Sequence, residues 1–125
     1  MKNWSFILIF LIFITGCDAL STTNPITASQ LQAQLTEIQN FVKTGSCNTA
    51  AQCKYMAIGS KACGGPSDYI VFSEDIDVTV LKKMVDRFTE DQKTYNKENN
   101  VASDCSLVTP PQNLDCIDGN CIEIK

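Results

Sequence analysis

The sequence predicts an α+β fold: two helices packed on a small antiparallel sheet, stapled by disulfides. Three observations lead there. Residues 27–44, and a second stretch from residue 77 that frays near residues 96–100, carry apolar side chains at helical spacing behind capping residues. Short runs of β-forming residues lie between and after them, bounded by Gly, Pro, Asn and Asp. Six of the seven cysteines fall between residues 47 and 121.

The first helix is expected over 27–44. Thr27 suits the N-cap, and Gln30, three residues on, completes a capping box. Ile26 and Leu31 occupy the positions of a hydrophobic staple. Leu31, Leu35, Ile38 and Val42 recur at spacings of four, three and four, which puts them on one face with Phe41 beside them. Lys43 falls in the last turn, and Gly45 is expected to stop the helix.

Residues 53–60 alternate loosely and read as a strand. Residues 62–67, with Gly64, Gly65 and Pro66, must form a turn or irregular loop. Tyr69, Ile70, Val71 and Phe72 make a short apolar run of β-formers, expected as a buried strand. Asp77 then suits the N-cap of the second helix, with Ile76 and Leu81 at staple positions and Glu74, Asp75 and Asp77 at its positive end. Leu81, Met84, Val85, Phe88 and Tyr95 form its apolar face; Arg87 and Asp91 can pair four residues apart on the exposed side.

In the tail, residues 105–109 are expected as a strand stopped by Pro110 and Pro111. Residues 114–117 and 121–124 flank Asp118, Gly119 and Asn120, a hairpin signature. With Asp118-Gly119 as a two-residue turn, Cys116 faces Cys121. The two then either bridge each other or point into the core and take different partners.

The chain starts with the basic segment Met1-Lys2-Asn3. Residues 4–14 are almost all apolar, and Thr15, Gly16 and Cys17 follow. A basic start, an apolar core and a small-residue end describe a secretory signal. The apolar run is short of the roughly 20 residues a membrane-spanning helix needs. The tetrad Ile14-Thr15-Gly16-Cys17 resembles the lipobox of bacterial lipoproteins. That resemblance implies cleavage after residue 16, a thioether-linked diacylglycerol on Cys17, and in many such proteins a further acyl chain (palmitate, for example) on the new amine. Two or three acyl chains hold a membrane far more firmly than one, at about 0.8 kcal/mol per buried methylene. Asp18 resembles the signal that keeps enteric lipoproteins at the inner membrane, so the expected location is the cell envelope, with the inner membrane favoured over the outer. Residues 17–26 become the lipidated cysteine and its tether, and 27–125 one small domain.

Removing residues 1–16 leaves 109 of the 125 residues and, with Lys2 gone, shifts the net charge from −4 to −5. That size suits a single domain. Its acidity argues against nucleic acid as a partner, which needs clustered Lys or Arg. Setting Cys17 apart leaves Cys47, Cys53, Cys63, Cys105, Cys116 and Cys121. An even number in an exported small domain reads as three disulfides, and six cysteines allow 15 pairings among which sequence does not choose.

Catalytic chemistry finds little support. The chain has no histidine, which removes the commonest general base and metal ligand. Ser60 and Lys61 are adjacent, and neighbours on a strand point to opposite faces. The carboxylates sit mainly on helix starts, helix faces and turns, so a glycosidase pair is not indicated. The spacings of Cys47 to Cys53 and of Cys116 to Cys121 are not those of a zinc ribbon. No metal or cofactor is expected. The distinctive segment is Cys63-Gly64-Gly65-Pro66, flexible at one point and fixed at the next. It reads either as a tight turn beside a disulfide or as a braced loop that inserts into a partner's cleft. The run looks like one in small cysteine-rich exported bacterial proteins of unassigned function. The expected function is a membrane-anchored, non-enzymatic binding module with an envelope partner, such as an inhibited hydrolase. A structural envelope lipoprotein without a discrete ligand is the alternative, and a small hydrolase a minor one.

Overall fold

The computed structural model describes residues 24–124. The expected signal, Cys17, Asp18 and most of the tether lie outside these described residues. Within them the order is α1 (Ala28–Val42), a single 3₁₀ turn (Ala50–Gln52), β1 (Cys53–Ile58), β2 (Asp68–Ser73), α2 (Val78–Glu98), β3 (Leu114–Ile117) and β4 (Asn120–Glu123). None of these helices is long and apolar enough to cross a membrane.

α1 begins as its sequence dictates. The Thr27 hydroxyl accepts from the Gln30 N–H at 3.2 Å, and the Thr27 N–H donates to Gln30 Oε1 at 2.8 Å, which closes the capping box. Asp77 caps α2 by accepting from the N–H groups of Thr79 and Val80 at 2.9 and 3.1 Å. Both staples close into the core: Leu31, Ile76 and Leu81 are buried there and Ile26 packs against it. Gly45 does not act as the expected left-handed helix stop. Lys43 caps α1 in right-handed conformation. Gly45 instead allows close approach, since a Cβ there would meet Ile76 Cγ2 at 2.5 Å and Ser73 Cβ at 3.4 Å.

The two helices pack on one face of the β1–β2 ribbon. The antiparallel register pairs Tyr55 with Val71, Met56 with Ile70 and Ala57 with Tyr69. Alternation then sends Met56, Ile58, Ile70 and Phe72 toward the helices. Ile58 and Phe72 join Leu31, Ile38, Leu81, Val85 and Phe88 in the buried core, with Met56 and Ile70 at its margin. Cys53, Tyr55, Val71 and Ser73 face the opposite way. The β2 run is therefore only half buried, with full burial confined to Phe72 and Ser73.

The strands form two separate two-stranded ribbons rather than one sheet. β3 and β4 make the expected hairpin, with Cys116 opposite Cys121 and Ile117 opposite Asn120. Asp118 and Gly119 both have positive φ, 51° and 77°, as a two-residue hairpin turn of the type I′ class demands. Cys116 and Cys121 do not bridge each other. Being directly opposed they share a face, and both reach the segment that enters β1. The disulfides are Cys47–Cys116, Cys53–Cys121 and Cys63–Cys105, with Cα separations of 5.9, 5.4 and 5.6 Å. The first two lay the hairpin over the Cys53 and Ser73 end of the β1–β2 ribbon. Backbone bonds from the Cys47 N–H to the Gly119 carbonyl (3.0 Å) and from the Glu74 N–H to the Gln52 carbonyl (2.9 Å) lock that end.

The strand expected at 105–109 does not form. Residues 101–111 are neither helix, strand nor turn. Cys105 is left-handed at φ 54°, outside the extended region of a regular strand. The polar side chains of Asp104 and Ser106 bond locally instead, and Pro110 and Pro111 can donate nothing to a neighbour.

Candidate functional site

The connection from β1 to β2, residues 59–67, is held at its base by one side of α2. The Gly59 N–H donates to Thr89 Oγ1 at 3.0 Å, and the Ser60 N–H to Gln92 Oε1 at 2.7 Å. The Ser67 hydroxyl donates to the same Gln92 oxygen at 3.1 Å, and Asn96 Nδ2 donates to the Ser60 carbonyl at 2.7 Å. Gly59 is obligatory in this knot. Its φ is +74°, and a Cβ would collide with Ser67 Oγ and Gln92 Oε1. β1 therefore ends at Ile58, two residues before the end of the expected strand. Thr89, Gln92 and Asn96 carry no motif, but Gln92 follows Phe88 by four residues on the buried stripe. A polar residue at a core-facing position was the available signal.

Beyond its base the loop closes on itself: the Lys61 N–H donates to the Gly65 carbonyl and the Gly64 N–H to the Lys61 carbonyl, both at 3.0 Å. It is then bound to the irregular segment after α2. The Cys63–Cys105 disulfide joins the two covalently, and the Cys63 N–H donates to Ser103 Oγ at 3.3 Å. The Lys61 ammonium uses all three donors on this second segment. It reaches Asp104 Oδ1 at 2.7 Å, the Ser106 carbonyl at 2.7 Å and Ser106 Oγ at 3.0 Å. The Ser106 hydroxyl in turn donates to Asp104 Oδ2 at 2.8 Å. The bond from Lys61, then those from the Ser106 hydroxyl and N–H, lower the Asp104 carboxyl from 3.8 to about 2.

This brace presents one large apolar side chain to solvent. Leu107 is 95% exposed. Beside it Val108, Pro110, Pro66 and Tyr69 line a shallow depression of about 280 Å³. Tyr69 meets Tyr55 edge to face, with centroids 5.6 Å apart and planes at 81°, and Tyr55 is itself 46% exposed. The outward face of the β1–β2 ribbon and the rim of the braced segment thus share an apolar and aromatic surface.

The residues singled out in the sequence fall around this surface unequally. Cys63, Gly64 and Gly65 are exposed and Pro66 half-buried at its edge, but two glycines offer no side chain to insert into anything. The most exposed large apolar side chain, Leu107, belongs to the segment across the disulfide, which the sequence predicts as a strand. Ser60 and Lys61 do not form a catalytic pair: the Ser60 hydroxyl lies 3.4 Å from the Lys61 carbonyl, and the ammonium is engaged elsewhere. The sulfurs of Cys47, Cys53 and Cys121 lie within 4.8 Å of one another because two disulfides run side by side, and a disulfide sulfur is no thiolate ligand. A larger groove of about 600 Å³ runs between residues 59–66 and α2. Its charges pair along the helix, Lys82 with Asp86 at 2.6 Å and Lys93 with Glu90 at 3.9 Å, instead of converging on the groove. Compared with family models, curated proteins and solved structures, the chain has no match.

Proposed function

We propose that this chain is an envelope lipoprotein, anchored through lipid on Cys17, whose single domain is a non-enzymatic module that binds a protein partner. The observation that carries the binding reading is the apolar surface of Tyr55, Tyr69, Pro66, Leu107 and Val108 on a frame fixed by a disulfide and the Lys61 ammonium. A domain with only a structural role would be expected to keep such side chains covered. Contiguous exposed apolar residues rimmed by polar ones mark interaction sites, and a frame already ordered lowers the entropy lost on binding. An enzymatic reading has less behind it: there is no histidine, and the Lys61 ammonium beside Ser60 is held in an ion pair with Asp104. The net negative charge speaks for a protein over a nucleic acid.

The experiment is paired capture from solubilised envelopes by the wild-type lipoprotein and by its Leu107→Ser and Tyr69→Ser variants. A partner retained by wild type and lost from both variants is the expected result. Identical capture profiles for all three would refute the reading. For the anchor, fatty-acid labelling is expected to vanish in Cys17→Ser; labelling that persists would refute it.

A further inference from the structure

A lone exposed leucine on a loose loop needs no explanation. Leu107 is different because the chain is fixed on both sides of it. Immediately before it, the carbonyl and hydroxyl of Ser106 are gripped by Lys61, and Cys105 is tied to Cys63. After it, Val108 and Pro110 are half-buried and Pro111 is buried. Yet among the described residues the backbone N–H and carbonyl groups of Leu107, Val108 and Thr109 make no hydrogen bond. The segment is anchored on both sides, unpaired and tipped by one apolar side chain. Those are the attributes of a chain presented for strand-like pairing, with a side-chain pocket supplying specificity.

We propose that residues 104–109 form a substrate-like loop, with Leu107 as its specificity residue, that occupies the cleft of an endopeptidase whose primary pocket is apolar. This rests on the binding-module reading and names its partner by chemistry. The same brace explains why such a loop would inhibit instead of being consumed. Hydrolysis adds one water across the Leu107–Val108 amide and leaves a carboxylate on Leu107 and an amine on Val108. Neither new end is free to leave. The first is held through Ser106 by Lys61 and through Cys105 by Cys63; the second is held by buried Pro111 and by the hairpin, whose Cys116 and Cys121 are bonded to Cys47 and Cys53. The cut ends stay in the cleft, so product release is suppressed and religation favoured.

The test uses the full lipoprotein in detergent with its disulfides formed. It is titrated against chymotrypsin and subtilisin, which have apolar primary pockets, and against trypsin, whose pocket is acidic, with small chromogenic peptides as reporters. Inhibition of at least one of the first two and not of trypsin is expected. Leu107→Gly should weaken it about 100-fold, the size expected when a buried interface anchor is removed. Leu107→Lys should transfer inhibition to trypsin. Both variants should melt with wild type, because the side chain they replace is 95% exposed. The double variant Cys63→Ala, Cys105→Ala should become a substrate cut after Leu107. The proposal is overturned if wild type inhibits neither apolar-pocket enzyme, or if Leu107→Gly inhibits as well as wild type. Should inhibition fail while the paired capture still finds a partner dependent on Leu107 and Tyr69, the binding module stands and the peptidase assignment falls. Should capture fail as well, both fall.

Discussion

The half of the molecule built from α1, α2 and the inward face of β1–β2 is held by burial, whereas the half built from the β3–β4 hairpin, residues 59–67 and residues 101–111 is held chiefly by disulfides and polar bonds. In the first, Ile38 and Leu81 are 1% and 0% exposed at the centre of a continuous apolar cluster. In the second, Ile117, Ile122 and Ile124 are all substantially exposed, Leu107 almost wholly so, and the three disulfides and the Lys61 ion pair do the fastening. The two halves therefore suit different tasks. A segment fixed by burial must hide its apolar side chains. One fixed by disulfides can leave them in water, where a partner can cover them.

Opening the covalent half should give the largest effect. The Cys47–Cys116 and Cys53–Cys121 bonds close nearly the same loop, with separations of 69 and 68 residues, and the chain-entropy relation assigns a loop of that length about 4 kcal/mol. Replacing all four of these cysteines with alanine should lose at least that much in urea unfolding. A loss below about 1 kcal/mol would mean that the hairpin is packed on by burial after all. Cutting the apolar half comes next: Leu81→Ala should cost about 3 kcal/mol in the same assay and leave the mobility of residues 104–109 unchanged by NMR relaxation. Gln92 joins the halves, so Gln92→Ala strands the Ser60 N–H and should cost about 2 kcal/mol. It should also raise hydrogen exchange at Gly59 and Ser60 more than anywhere in α1.

The smallest effect is on pH. The Asp104 carboxyl is lowered from 3.8 to about 2 by Lys61 and Ser106. A lowered carboxyl contributes order above its unfolded value and loses it as pH falls through the folded one. The brace should therefore be complete above about pH 4 and released as pH approaches 2. An NMR titration should show Asp104 half-protonated near 2 in wild type, and returning toward 3.8 in Lys61→Met.

The apolar half was legible in the sequence almost residue by residue. Thr27 with Gln30, Asp77 and the stripe from Leu81 to Phe88 are local signals, and local geometry obeyed them. The hairpin was legible for the same reason, since Asp118-Gly119 specifies its own turn. The split into two ribbons and the disulfide pairing were not. Cys116 and Cys121 sit face to face in either outcome, and what decides between them is the position of Cys47 and Cys53, almost 70 residues earlier in the chain. The site was the least legible part. Residues 105–109 have the composition of a strand, but a strand needs a partner edge and an extended backbone. Lys61, 45 residues from Ser106, claims the polar groups first. No local pattern announces a contact of that range.

Photocrosslinking in intact envelopes tests most directly the claim that binding belongs to the covalently held half. A photoreactive residue is placed at position 107 and, separately, at Lys83 on the exposed side of α2. A discrete protein adduct is expected from position 107 and none from position 83. Adducts from position 83 alone, or equal adducts from both, would contradict it.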